Sequence, residues 1–204
     1  MEGKRVRDSS TVMAQMMNPQ DANPAGNVHG GVIMKLIDTV AGTVAMRHAR
    51  SNAVTASFDR LDLHWPAFIG DFVTLRASLN LVGRTSMEVG IRVETENLMT
   101  GERHHMASAY MTYVALDRDG HPAPVPPLIL ETDEERRRNR EAKARRETRL
   151  FQTLTINYKG KFVPRQWTSE GLEEVLGLVL IAVIISRSQA PAWERTIGAK
   201  LCLA

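Results

Sequence analysis

The 204-residue chain has a single cysteine, Cys202, and that scarcity closes several routes at once. A disulfide framework needs pairs and a thiolate metal centre needs several sulfurs, so neither is available. A reducing cytoplasm is the expected compartment. The opening stretch MEGKRVRDSSTVMAQMM lacks an apolar core of signal-peptide length, so export is not expected. The longest apolar run, VLGLVLIAVII (Val175 to Ile185), is shorter than the ~18 residues that a bilayer crossing requires, and no transmembrane segment is expected. No serine or cysteine stands in a G-x-S-x-G elbow. The six histidines suggest no metal site. His104 and His105 are neighbours in a strand pattern and so turn to opposite faces.

Excess charge is scarce too. The formal net charge is +3 with a sequence pI of about 9.2. Its source is residues 131–150, where eight Lys/Arg face six Asp/Glu, most of the basic ones inside RRRNREAKARRETR. That surplus is too small for a nucleic-acid partner, yet sufficient to attract a phosphorylated ligand. A hydrophobic share of 43% and a charged share of 24% fit a soluble globular protein. The length suits one domain with an appendage.

What the chain does have is a change of hydrophobic period. TVMAQMM (11–17) reads as a short first strand. From Gly31 to Ala49, Val32, Ile33, Leu36, Ile37, Val40, Ala41 and Val44 recur at helical spacing and cover more than half the circumference. A helix this apolar must be wrapped by other elements. Downstream the period becomes two. Val73, Leu75, Ala77, Leu79 and Leu81 alternate with polar residues, as do Met87, Val89, Ile91 and Val93. Half-buried antiparallel strands have this pattern. NAVTASFDRLDL and MASAYMTYVAL add two more candidates, and PAFIGD, LVGRTS and LMTGE carry turn chemistry. The expected class is α+β, one antiparallel sheet curled round one long helix. The proline run GHPAPVPP closes this domain at about residue 130. Residues 131–150 read as an exposed, Arg-rich helix, and residues 151–204 form a tail to which no role is assigned.

The stretch NPAGNVHGGVIMKLID (23–38) is the candidate site. Gly30 and Gly31 at the helix entry leave free N–H groups on the positive end of the helix dipole, suited to an oxyanion or polarised carbonyl. The same glycines also suit a tight turn alone. Asp38 sits three residues after Lys35, where an exposed ion pair is one reading. Its helical neighbours Met34, Ala41, Gly42 and Ala45 are small or apolar, which supports a second reading: a carboxylate facing another molecule or chain.

MNPQDANPAGNVHGGVIMKLIDTVAG, continued by FIGDFVTLRASLNLVGRTSMEVGIRVETENLMTGERHHMASAYMTYVALDRDGHPAPVPPL, resembles the hotdog-fold acyl-CoA thioesterases, the brain-type acyl-CoA hydrolase and its bacterial single-domain relatives among them. The likeness runs over about residues 11–135. It implies hydrolysis of a fatty acyl-CoA to acid and CoA, with no serine nucleophile and no cofactor beyond the CoA of the substrate. It also implies pairing of two hotdog units, with Asn23 of one unit acting with Asp38 of the other, and assembly into tetramers or hexamers. Asp38 would serve as general base or nucleophile, Asn23 would orient water or carbonyl, and Gly30 and Gly31 would hold the oxyanion. Arg84, Thr85 and Ser86, in a turn between strands, and more weakly Arg118, are candidates for CoA contacts. His29 is placed beside them, with turn packing as its competing role. The alternative function is a module that binds acyl-CoA without cleaving it, as a sensor or regulator.

Overall fold

The computed structural model describes the backbone of residues 1–158 and the side chains of residues 1–150. The apolar run 175–185, Cys202 and nearly all of the tail lie outside the described residues. The chain opens with a two-residue strand β1 (Lys4–Arg5), a single helical turn α1 (Val6–Ser9) and strand β2 (Thr11–Met16). A 3-10 turn (Pro19–Asp21) and a loop lead into the long helix α2 (Gly30–Ala49). Four strands follow: β3 (Asn52–Leu63), β4 (Phe72–Val82), β5 (Ser86–Glu96) and β6 (Arg103–Leu116). After the proline run come β7 (Leu128–Ile129) and the helix α3 (Asp133–Tyr158).

The five longer strands form one antiparallel sheet in the order β2-β4-β5-β6-β3. The three central strands β4, β5 and β6 each turn a buried apolar row to one face, and α2 lies across that face, touching all five strands. Ile33, Ile37, Val40 and Val44 from the helix meet Val73, Leu75, Leu79, Val89, Val93 and Met111 from the sheet, all of them buried. Each such side chain contributes roughly 1.5–3 kcal/mol by leaving water. The expectation of a sheet curled round one helix holds. The short β1 and β7 pair with each other in parallel, outside the main sheet, just after the prolines.

The exposed-helix expectation for residues 131–150 needs correction. Along α3, Ala142 and Asn139 are buried and Glu135, Arg138, Arg145, Arg146 and Arg149 are half-buried, a stripe at helical spacing. This stripe packs on the outer face of the sheet. Arg145 pairs with buried Glu88 at 2.7 Å and stacks over the Tyr110 ring, Arg149 pairs with Asp59, and Asn139 donates to the Asn80 carbonyl. Polar residues of the sheet therefore meet the long arginine stems, a partnership that apolar periodicity does not reveal.

Candidate active site

The loop before α2 is built by its own polar groups. Asn23 Oδ1 accepts from the N–H groups of Ala25 (2.9 Å) and Asn27 (3.2 Å). The Asn23 N–H donates to the Asn27 carbonyl, and Gly26 turns the chain with φ 85°. Two donors on Oδ1 fix the orientation of the amide, so Nδ2, a donor, is the group that Asn23 has left to offer. Asp21 ties the loop to the helix, its carbonyl accepting from the His29 N–H at 2.8 Å.

At the helix entry His29 is the N-cap, and its Nδ1 accepts from the Gly31 N–H at 3.0 Å. With Nδ1 as acceptor, the N–H of the imidazole is on Nε2. Of the two glycines read as oxyanion donors, Gly31 has its N–H engaged by His29. The Gly30 N–H has no hydrogen-bond partner among the described residues. Beside it, Leu63 Cδ1 approaches to 4.0 Å of where a Gly30 side chain would begin.

Asp38 lies farther along α2, half-buried, and it makes no ion pair with Lys35 among the described residues. Its Oδ1 instead accepts two hydroxyl hydrogens, from Thr55 on β3 and from Tyr113 on β6, both at 2.7 Å. Thr55 and Tyr113 are direct partners in the strand register, which sets both hydroxyls under one turn of the helix. The Tyr113 ring lies beside Gly42, 3.6 Å from where a Cβ would stand, an ordinary packing distance. Burial, and after it the hydrogen bond to and charge of Asp38, hold the Tyr113 phenol well above the usual tyrosine value, so it remains a donor. Oδ2 of Asp38 has no partner among the described residues. Neither Thr55 nor Tyr113 stands out in the sequence, because each reads as an ordinary strand residue.

The Arg84–Ser86 turn joins β4 to β5. Its carbonyls are fully used: Arg84 O accepts from Val125, Thr85 O from Ala115 and Ser86 O from Gly83. Arg84 is exposed, while Thr85 and Ser86 are half-buried. The next residue, Met87, pairs with Tyr113, so this turn is at the Asp38 end of the sheet. Helix α3 brings a second cation there: Arg146 Nη1 lies 3.2 Å from where a Gly83 Cβ would stand. Arg118 is in the exposed turn after β6. His104 stacks on Trp65, whereas His105 bonds Ser108 and the Ala107 carbonyl, so the two do not converge.

Residues 25–102 match the thioesterase superfamily. A hexameric acyl-CoA thioesterase of known structure is 39% identical, with a TM-score of 0.73 over 75% of this chain and 98% of its own. The chain belongs to the thioesterase superfamily. An acyl-CoA hydrolase from Staphylococcus aureus, solved with butyryl coenzyme A and coenzyme A, is 32% identical, with a TM-score of 0.69 over 78% of this chain and 99% of its own. That enzyme has also been solved with an asparagine, an aspartate or a threonine changed to alanine. The three have the same separations along the chain as Asn23, Asp38 and Thr55 here. The cytosolic acyl coenzyme A thioester hydrolase of Rattus norvegicus is 38% identical over 71% of this chain, which spans only 38% of that protein's length.

Proposed function

We propose that this thioesterase-superfamily chain hydrolyses acyl-CoA to a free acid and CoA, at a site shared between two copies. One observation carries the shared site. Gly30 and Asp38 are two helical turns apart, about 12 Å along the axis at 1.5 Å per residue. A carboxylate and an oxyanion donor serving one thioester carbon must approach within a few ångströms. A second copy supplies the missing half. The edge strand β3 carries Thr55 beside Asp38 and exposes Val54, Phe58 and Leu63, and Met34, one turn before Asp38, is exposed as well. An open edge with apolar side chains is suited to pairing. The hexameric state of a relative supports an assembly of such dimers.

In the proposed reaction the carbonyl oxygen rests on the Gly30 N–H and the Asn23 Nδ2 of one copy. Asp38 of the other copy, pinned at Oδ1 by Thr55 and Tyr113, takes a proton at Oδ2 from water as that water attacks the thioester carbon. Collapse of the adduct breaks the C–S bond, and the thiolate of CoA leaves with that proton. The oxyanion donors act on charge that exists only after attack, and each is worth ~2.7–4 kcal/mol. Arg84 and Arg146 would receive the CoA phosphates at the turn beside this end of the sheet. Thiol release from acyl-CoAs of graded chain length is the test. Turnover in wild type that is lost in Asp38→Asn supports the reading, and binding without release in wild type replaces it with the acyl-CoA-binding module.

A further inference from the structure

The outer face of the sheet is only partly covered by α3. Beyond the helix start lies an open groove of about 470 Å³, remote from the Asp38 face. Its floor is small and polar, Ser78 and Gly90 in register with each other and Ser108 beside them. Arg76 and Arg92 stand directly opposite one another on β4 and β5, a like-charge pairing that strands ordinarily avoid. Arg7 and Arg138 line the same groove.

Three of the carboxylates around this groove, Glu94, Glu131 and Glu134, are each shared between two guanidiniums. Glu94 lies between Arg76 (3.6 Å) and Arg92 (2.9 Å), and these cations hold its carboxyl below the usual range, the Arg92 hydrogen bond foremost. Glu131 lies between Arg5 and Arg7. Glu134 serves Arg137, which also reaches Glu141, and stands 3.9 Å from Arg138. Glu135 spends an oxygen on the N–H groups of Glu131 and Thr132. The groove itself is lined by four arginines, Arg7, Arg76, Arg92 and Arg138, and two glutamates, Glu134 and Glu135.

A second observation concerns one residue of its lining. Asn80 is 2% exposed, and its Oδ1 has no hydrogen-bond partner among the described residues. Gly90 makes room for it: a Cβ there would come within 2.5 Å of Asn80 Nδ2. Arg138 Nε is likewise buried without a hydrogen bond, although Nη1 of the same side chain donates to Ser78. Buried polar atoms of this kind are few in native structures and want a partner. An unused buried acceptor on a groove lined by four arginines matches a ligand that carries an anion and a hydrogen-bond donor together.

We infer that this groove is a second ligand site, which takes a small phosphate ester with a hydroxyl or amino donor on its organic part. Guanidinium forks fit phosphate oxygens, and Asn80 Oδ1 would accept from the donor. Titration calorimetry on the full chain tests this with ribose 5-phosphate as the probe, and with inorganic phosphate and ribose as its two halves. The ester should bind at least about tenfold more tightly than inorganic phosphate, and ribose should give no signal. The double variant Arg76→Gln/Arg92→Gln, at two half-exposed surface positions, should weaken the ester at least about tenfold while thiol release stays at its wild-type level. Arg84→Gln, at the opposite turn, should leave ester binding unchanged. No binding of the ester, equal binding of inorganic phosphate, or loss in Arg84→Gln without loss in the double variant would each overturn the site. None of these outcomes bears on the thioester reaction.

Discussion

Tyr113 donates its phenolic hydrogen to Asp38 Oδ1 across 2.7 Å, from a position where only 2% of the tyrosine is exposed. The carboxylate is thereby held from the sheet side while its second oxygen stays open. Tyr113→Phe keeps the ring that fills the space beside Gly42 and deletes only the donor. A hydrogen bond to a charged group is worth ~1.5–3 kcal/mol, so kcat should fall roughly tenfold or more with little change in KM. Steady-state thiol release measures both parameters. Thr55→Val should act in the same direction, and the double variant should lose more than either, since the two hydroxyls share one acceptor.

Asp38→Asn retains the shape of the side chain and removes its ability to take a proton. Loss of a general base costs ~10²–10⁴ in rate, with the fold and oligomer intact by circular dichroism and gel filtration. A stricter experiment mixes this variant with Asn23→Ala by refolding the two together. If each site draws on two copies, a mixed dimer contains one site with both native residues, and about a quarter of wild-type activity should return in a random mixture. No recovery at all would place both residues of a working site in one chain.

Much of this architecture was legible because burial writes a period into the sequence. Ile33, Ile37, Val40 and Val44 announce the helix, and Val73, Leu75 and Leu79 announce a strand beneath it. The entry loop was legible through Asn23, Gly30 and Gly31, turn and cap residue types that stand just before and at the start of an apolar helical pattern. What stayed hidden depends on register. Thr55 and Tyr113 become partners of Asp38 only once β3 and β6 are aligned, and no local pattern states that alignment. The role of His29 was hidden as well, because a side chain that caps Gly31 is read from a distance and not from adjacency. The packed face of α3 escaped notice since its contacts are arginine to carboxylate, and hydrophobic spacing cannot see them.

The Glu88–Arg145 pair gives that helix its anchor, with the Glu88 side chain 2% exposed and that of Arg145 22% exposed. Arg145→Met strands a buried carboxylate and should cost no more than the ~3–5 kcal/mol seen for breaking buried pairs, because the arginine is partly in water. Glu88→Leu combined with Arg145→Met removes both charges and should recover most of that loss. Urea unfolding of the two singles and the double forms the cycle. Equal stability of Arg145→Met and wild type would show that α3 is held by other contacts.

His48 sits fully buried at the end of α2, with Nδ1 against Ser9 Oγ at 3.0 Å and Nε2 against the Pro126 carbonyl at 2.8 Å. It thus joins the first helical turn to the strap that follows β6. Burial, with the nearby Lys4 charge adding to it, pushes the imidazole below its ordinary value of 6.5 despite the opposing Pro126 bond. The folded protein therefore resists a proton that the unfolded chain accepts. The stabilising contribution is complete above about pH 6.5 and is lost as pH falls through the folded-state value. Protonation also obliges Nδ1 to become a donor, which the Ser9 hydroxyl accommodates only by giving up its own donation. Denaturant midpoints should drop between pH 7.5 and pH 5.5 in wild type. In His48→Gln, which cannot titrate there, the protein should be less stable at pH 7.5 and the pH dependence across that interval should shrink. A wild-type midpoint that is flat across the interval, or a variant with the same slope, would assign the acid sensitivity to other groups.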